Sequence, residues 1–274
     1  MKARSWLLTA AMVGVLPTIG YVAEGLEGKF MVAAQVGTQS EVSGNLIQGS
    51  LGTLVNQPIV IESQGYRDIY GPDVRVQLLL GYGVSSNSEI VARATYYKTE
   101  AAGVAAGSLS GKPLLVFFEP YDYEEVGFEF GYRFYLASQT RLKSWIAPIV
   151  GVRFLHEILM TLASQEAGSS IVNIPFSKEG AVPVFGLDLG FSFDLGQHMF
   201  IGVDTGIRYQ TAPPQFDFLP GLTKIDDSDG RWTAPVVGSI GFRFYRHAGG
   251  LGGGLGAPQF CFSFTPQHRD SRGS

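Results

Sequence analysis

The chain has 274 residues, of which 45% are hydrophobic and 16% charged, with 36 glycines and 19 phenylalanines. That length suits one large domain, and the hydrophobic content is too high for a disordered chain. A formal net charge of −4 offers no basic excess for nucleic acid.

From the N-terminus, Lys2 and Arg4 precede an uncharged apolar stretch over residues 6–20. This order is that of an export signal, expected over residues 1–23. Cleavage after Gly20, Ala23 or Gly25 stays open, because Tyr21 is bulky where a small residue is preferred. Beyond it, no run approaches the ~20 apolar residues of a membrane helix. The single cysteine, Cys261, cannot form an internal disulfide and does not follow the signal as a lipid-bearing residue would.

From residue 29 onward, hydrophobicity alternates with period two. Side chains alternate across a strand, whereas a helix would scatter them around its circumference. In residues 29–39, Phe30, Val32, Ala34 and Val36 oppose Gln35, Gly37 and Gln39. In 73–84, Val74, Val76, Leu78, Leu80 and Tyr82 oppose Arg75, Gln77, Gly81 and Gly83. In 89–98, Ile90, Ala92, Ala94 and Tyr96 oppose Arg93, Thr95 and Tyr97. In 123–136, Val126, Phe128, Phe130, Tyr132 and Phe134 oppose Gly127, Glu129, Gly131 and Arg133. The same alternation runs through 142–155, with Lys143, Gly151 and Arg153 on the polar face. It recurs in 181–195, with Asp188 there, and in 199–210, with Asp204 and Arg208. It ends in 232–245, where Ser239, Gly241 and Arg243 oppose Val236, Ile240, Phe242 and Phe244. Pro148 and Pro235 interrupt two of these runs, each removing one ladder hydrogen bond.

About eight strands result, close to the ~9–11 residues needed to cross the hydrocarbon layer. Short links near residues 85–88, 137–141 and 196–198 alternate with long ones at 40–72, 99–120, 156–180 and 211–231. Short periplasmic turns and long outer loops are the layout of a membrane barrel. The polar face is glycine with single charges, without the dense Lys/Glu cover of a solvated surface. The reading is therefore an all-β protein: a closed, antiparallel, up-and-down transmembrane β-barrel of about eight strands. It places Arg75, Arg93, Glu129, Arg133, Arg153, Asp188, Asp204, Arg208 and Arg243 in the lumen. An eight-stranded barrel leaves only side-chain room inside, so these charges are expected to pair and plug it. The sharper alternative is a gated ion path through rearranging pairs.

In signal, parity, loop alternation and final strand, residues 29–246 resemble the small outer-membrane barrels of the OmpA-, OmpX- and OmpW-like superfamily. The aromatic last segment, with Gly238, Gly241, Phe242 and Phe244, is similar to the terminal signal read by the barrel-assembly machinery. The resemblance implies insertion by that machinery, transit with periplasmic chaperones, and residence among outer-membrane lipid and lipopolysaccharide. One departure stands out: a glycine-rich tail follows the barrel (24–247) over 248–274, flexible in composition and too short for a peptidoglycan-binding domain.

No catalytic, metal or cofactor motif emerges. The tail lacks GxxxxGK[ST], and Asp226, Asp227 and Asp229 fail the calcium-loop spacing because Ile225 occupies the first position. The expectation is a non-enzymatic barrel whose long loops serve envelope structure or contact with an extracellular or envelope protein. Two rivals stand beside it. One is a narrow channel for small or apolar solutes, suggested by Leu46, Ile47, Leu51, Leu54, Val55, Ile59 and Val60 in the first loop. The other is a lipid A-modifying hydrolase built around His156 and Glu157.

Overall fold

A computed structural model describes residues 25–54, 56–119, 121–164, 169–216 and 228–245. The expected signal, the whole of the tail and Asp226–Asp227 of the acidic loop lie outside the described residues.

The chain enters the barrel with β1 (Lys29–Ser43). The first outer excursion carries β2 (Asn45–Ile47), β3 (Ser50–Leu54), β4 (Gln57–Ile61), β5 (Gln64–Gly65) and a single helical turn, α1 (Tyr66–Ile69). A hairpin of β6 (Tyr70–Ser85) and β7 (Ser88–Ala101) follows, and then β8 (Val104–Leu109) and β9 (Lys112–Glu119). Next come β10 (Asp122–Tyr135), β11 (Leu142–Leu155), β12 (Ile158–Ser164) and β13 (Ser169–Ser177). The chain closes with β14 (Gly180–Asp194), β15 (Met199–Gln210) and β16 (Arg231–Tyr245).

Eight strands form a closed barrel in the order β1-β16-β15-β14-β11-β10-β7-β6. Every neighbouring pair is antiparallel, and closure is made between first and last strands, with Phe30 opposite Phe244 and Val32 opposite Phe242. Closure satisfies the backbone of every wall strand, which the hydrocarbon region demands. The prolines are absorbed locally. At Pro148 the ladder with β10 skips from Ile149 to Ile146. At Pro235 the ladder with β15 skips from Val236 to Thr233. There the Thr205 hydroxyl donates to the Pro235 carbonyl at 3.0 Å.

Exposure decides which face meets lipid. Phe30, Phe128, Phe130, Phe154, Phe185, Phe191, Phe242 and Phe244 are each 46–59% exposed. Arg75, Arg93, Arg133, Arg153, Arg208, Arg231 and Arg243 are 0–6% exposed. A soluble barrel would show the reverse, because guanidiniums are costly to bury and phenylalanines gain by burial. The wall is greasy outside and charged inside, so its solvent is a membrane. The architecture is that of the small eight-stranded outer-membrane barrels.

The outer excursions differ from plain loops. β3, β4, β8, β9, β12 and β13 form a second, six-stranded sheet in the order β13-β12-β9-β8-β4-β3. The wall strands are 12–16 residues long, more than the hydrocarbon layer needs. The β8–β9 and β12–β13 hairpins continue them outward, and β9 pairs with β12. This cap has its own core, including Ile59, Ile61, Leu114, Val116, Phe118, Met160 and Leu162. Tyr97, Tyr123, Leu155 and Val182 of the barrel belong to the same cluster, so cap and barrel share one apolar interior. The apolar first loop is thereby explained: Leu46, Ile47 and Ile59 are buried in that core, whereas Leu51 and Val60 stay exposed. Among the described side chains of that apolar run, three of five are core and two remain on the surface.

Truncating Phe118, which meets Phe176 edge-on at 5.6 Å, removes the centre of the cap. Phe118→Ala is expected to cost the cap about 3–5 kcal/mol and to expose residues 100–120 to added protease. The barrel should still migrate faster unboiled than boiled on a denaturing gel.

Candidate functional site: the charged lumen and its outer mouth

Inner-face parity places all nine predicted lumen charges inside the barrel. Most converge in one central layer around Glu129, on β10. Its Oε1 accepts from Arg75 Nη2 at 3.0 Å and Arg153 Nη2 at 2.5 Å. Its Oε2 accepts from Arg93 Nη1 at 2.8 Å and Arg208 Nη2 at 3.3 Å. One carboxylate is thus held by four guanidiniums from four different strands. Asp188 bridges Arg93, at 3.0 Å, and Arg208. Asp204 accepts from Arg133 Nη2 at 3.1 Å and from the Gln35 amide at 2.5 Å. Arg133 also lies 3.6 Å from Glu89 and covers the Trp145 ring at 4.0 Å.

Glycine makes room for these head groups. A β-carbon on Gly127 would lie 2.6 Å from Arg153 Cδ, and one on Gly190 would lie 2.2 Å from the Trp145 ring. The glycines of the charged face are therefore clearance for long side chains crossing a narrow lumen. Between the arginines and the β15–β16 wall remains a water-sized cavity bordered by Asp188, Asp204, Thr205 and Pro235.

Arg243, the ninth residue, sits apart from this layer. It pairs with Asp194 at 2.5 Å and lies over Phe200 at 4.2 Å, toward the end of the barrel away from the cap, where Lys143 shares the same carboxylate. Apolar side chains pack beside these charges: Met31, Ala33, Leu79, Val91 and Phe200 form one cluster. Leu26, Tyr135, Trp145 and Ala147 form a second small cluster. Sequence reasoning treated the inner face as glycine and charge alone. Parity already assigned Leu79, Val91 and Trp145 to that face, and they were the available signal for an apolar stopper.

A third charged layer, at the outer mouth, was not anticipated. Arg231 binds Glu125 directly and reaches Glu41 Oε1 at 3.3 Å and Gln210 Oε1 at 3.0 Å. Its guanidinium lies 5.3 Å from the Tyr66 ring and 5.9 Å from the Tyr97 ring. Glu125 shares the parity of Glu129, so it was legible. Glu41 and Arg231 stand at strand ends, where the alternation has too few residues to assign a face. His156 and Glu157 are exposed in the link between β11 and β12. Among the described residues, no three His, Cys, Asp or Glu stand in metal-holding geometry.

No protein-family model matches the sequence, and no curated protein matches it. Solved structures do show likeness. Neisserial surface protein A is 10% identical over 80% of this chain and 100% of its own, with a TM-score of 0.40. The outer membrane protein OprG from Pseudomonas aeruginosa is 13% identical over 82% and 100%, with a TM-score of 0.42. Ail, the attachment invasion locus protein of Yersinia pestis, is 13% identical over 80% and 100%, with a TM-score of 0.37. At these values none of them transfers a residue role or an activity.

Removing Glu129 leaves four buried guanidiniums without their shared partner. Glu129→Ala is expected to lower barrel stability by about 3–5 kcal/mol, measured by denaturant unfolding in micelles. Phe130→Ala, on the lipid face, should change stability much less.

Proposed function

We propose that this eight-stranded outer-membrane barrel is a non-enzymatic, sealed scaffold that holds a folded extracellular cap for contact at the cell surface. The observation that carries this reading is the distribution of structure along the axis. The lumen is filled by crossed ion pairs and two apolar clusters, with a water-sized cavity beside them. Elaboration beyond a bare barrel lies at the outer end, as a six-stranded sheet with its own core. A scaffold that spends its inner surface on self-packing and its outer end on a stable platform suits display of a surface. The partner is an extracellular or envelope protein, and the surrounding medium is outer-membrane lipid and lipopolysaccharide.

Gly238, Gly241, Phe242 and Phe244 lie in β16, whose pairing with β1 completes the barrel. In this proposal they form the segment read by the assembly machinery, after delivery by periplasmic chaperones. Residues 1–23 act as the export signal and 248–274 as a periplasmic tether. Channel activity is disfavoured by the packed lumen, and Leu46, Ile47 and Ile59 of the apolar residues offered as a conduit belong to the cap core. Among the described residues, a hydrolase centred on His156 has no accompanying arrangement that would activate a nucleophile.

Purified protein in planar bilayers should be silent under applied voltage. Steady conductance steps, or uptake of small solutes into liposomes, would overturn the sealed-scaffold reading in favour of a channel.

A further inference from the structure

The cap sheet repeats the order of the wall beneath it. β13 runs into β14, β12 follows β11, β9 runs into β10, and β8 follows β7. β3 and β4 stand in the excursion that leaves β1 and returns to β6. The sheet order β13-β12-β9-β8-β4-β3 therefore matches the wall order β14-β11-β10-β7-β6-β1. One side of the sheet holds the core shared with the barrel interior. Its other side is turned the same way as the lipid face of the wall. β8 and β9 rise from β7 and β10, across the barrel from β15 and β16, so this side lies away from the link between those two strands.

That second side is nearly without charge. The six strands hold only two charged residues, Lys112 and Glu119, at the two ends of β9. A surface that faces water carries about 25–35% charged residues. Alternation here puts Leu115, Phe117, Leu159 and Thr161 on the outward side, all half-buried. Val60 and Leu51 join them at 39% and 77% exposure. Thr161 lies opposite Phe117, and Leu51 opposite Val60, so these side chains adjoin across strands. Among the described elements, none packs against this side of β8, β9 and β12.

Lipid does not account for the face. Below it, on the outward side of β7 and β10, Lys98 lies 2.8 Å from Asp122 and 3.4 Å from Glu124, and these side chains are 39–55% exposed. His156 and Glu157 are exposed in the link that leads to β12. Such a belt of exposed charge marks where hydrocarbon ends, because charge is costly within it. The greasy wall stops at the belt, and a second apolar face begins above it. An apolar face of that extent outside the hydrocarbon is an interaction surface.

We propose that this face pairs with the same face of a second copy of the chain, giving a two-fold symmetric dimer within the membrane plane. Insertion holds every copy in one orientation and at one height, so neighbouring copies present the face to each other at the same level. With strands ~4.8 Å apart rising ~3.3 Å per residue, six strands of 5–9 residues outline an area on the order of 600 Å². A stable interface takes about 800 Å² of accessible surface from each partner. The face supplies that only when used almost whole. An identical sheet uses it whole, through aligned face-to-face packing. The scarcity of charge also lets two copies meet without like charges opposed. The inference rests on the reading of the cap as a contact platform, whose partner it names, and does not depend on a sealed lumen.

Cross-linking in the membrane tests it. Leu115→Cys in a Cys261→Ser background, treated in outer membranes with a short bismaleimide, should give a band at twice the chain mass. Leu187→Cys, on the lipid face of β14, should give none. Light scattering in micelles should report two chains, and Thr161→Lys should weaken the dimer more than about tenfold. Heat-modifiable migration and a protease-resistant cap show whether that variant is folded; if it is not, Ala163→Lys replaces it. Where micelles hold only single chains, the membrane cross-link decides. No dimer band in membranes, an equal band from Leu187→Cys, or an undiminished dimer in a folded variant would overturn the proposal. So would cross-linking only to a different protein, which would assign the face to a foreign partner. A monomer that is also silent in planar bilayers would overturn the dimer and leave the sealed scaffold standing.

Discussion

The structure depends on enclosing charge inside a wall whose other face is grease. A guanidinium in hydrocarbon is costly, and a guanidinium in a narrow lumen is tolerable only when carboxylates meet it from the opposite wall. Glu129 is the clearest case, since its two oxygens gather arginines from β6, β7, β11 and β15. These contacts run across the barrel rather than along it. Arg93 and Arg153 reach Glu129 from the adjoining strands β7 and β11, whereas Arg75 and Arg208 reach it from β6 and β15, which are not hydrogen-bonded to β10, so the circumference and the stagger of the wall are matched to the reach of the arginines. The inward glycines belong to the same constraint, because any side chain at Gly127 or Gly190 would occupy the path of a neighbour.

The lumen is layered rather than uniformly polar. The Arg243–Asp194 pair, the apolar cluster around Met31 and Phe200, the central arginine network and the Arg231–Glu125 pair at the capped end share its length. Alternating layers of this kind seal a small barrel better than either chemistry alone. Apolar packing excludes water, and crossed ion pairs fix the wall positions between which it packs. Above the mouth, the barrel interior passes directly into the core of the cap, with Tyr97 and Tyr123 shared by both. The six-stranded sheet is thereby an extension of the wall and not a set of independent loops.

Period-two alternation was enough to establish the eight wall strands, their inward and outward faces and the nine named lumen charges, because parity has one solution once lipid is known to lie outside. Partners were not legible. That Glu129 meets Arg75, Arg93, Arg153 and Arg208 follows from strand tilt and stagger, which bring together residues 24 to 79 positions apart. The outer sheet was not legible either. Its strands are short and apolar on positions that local pattern reads as loop, and β4 finds its partner β8 in a different outer excursion. The amino-acid order by itself determined which side chains face lipid and which face the axis, since that depends on neighbours along one strand. Only the tertiary structure decided which charges pair and how the loops fold into a cap, since each of these is set by distances between strands that the sequence keeps far apart.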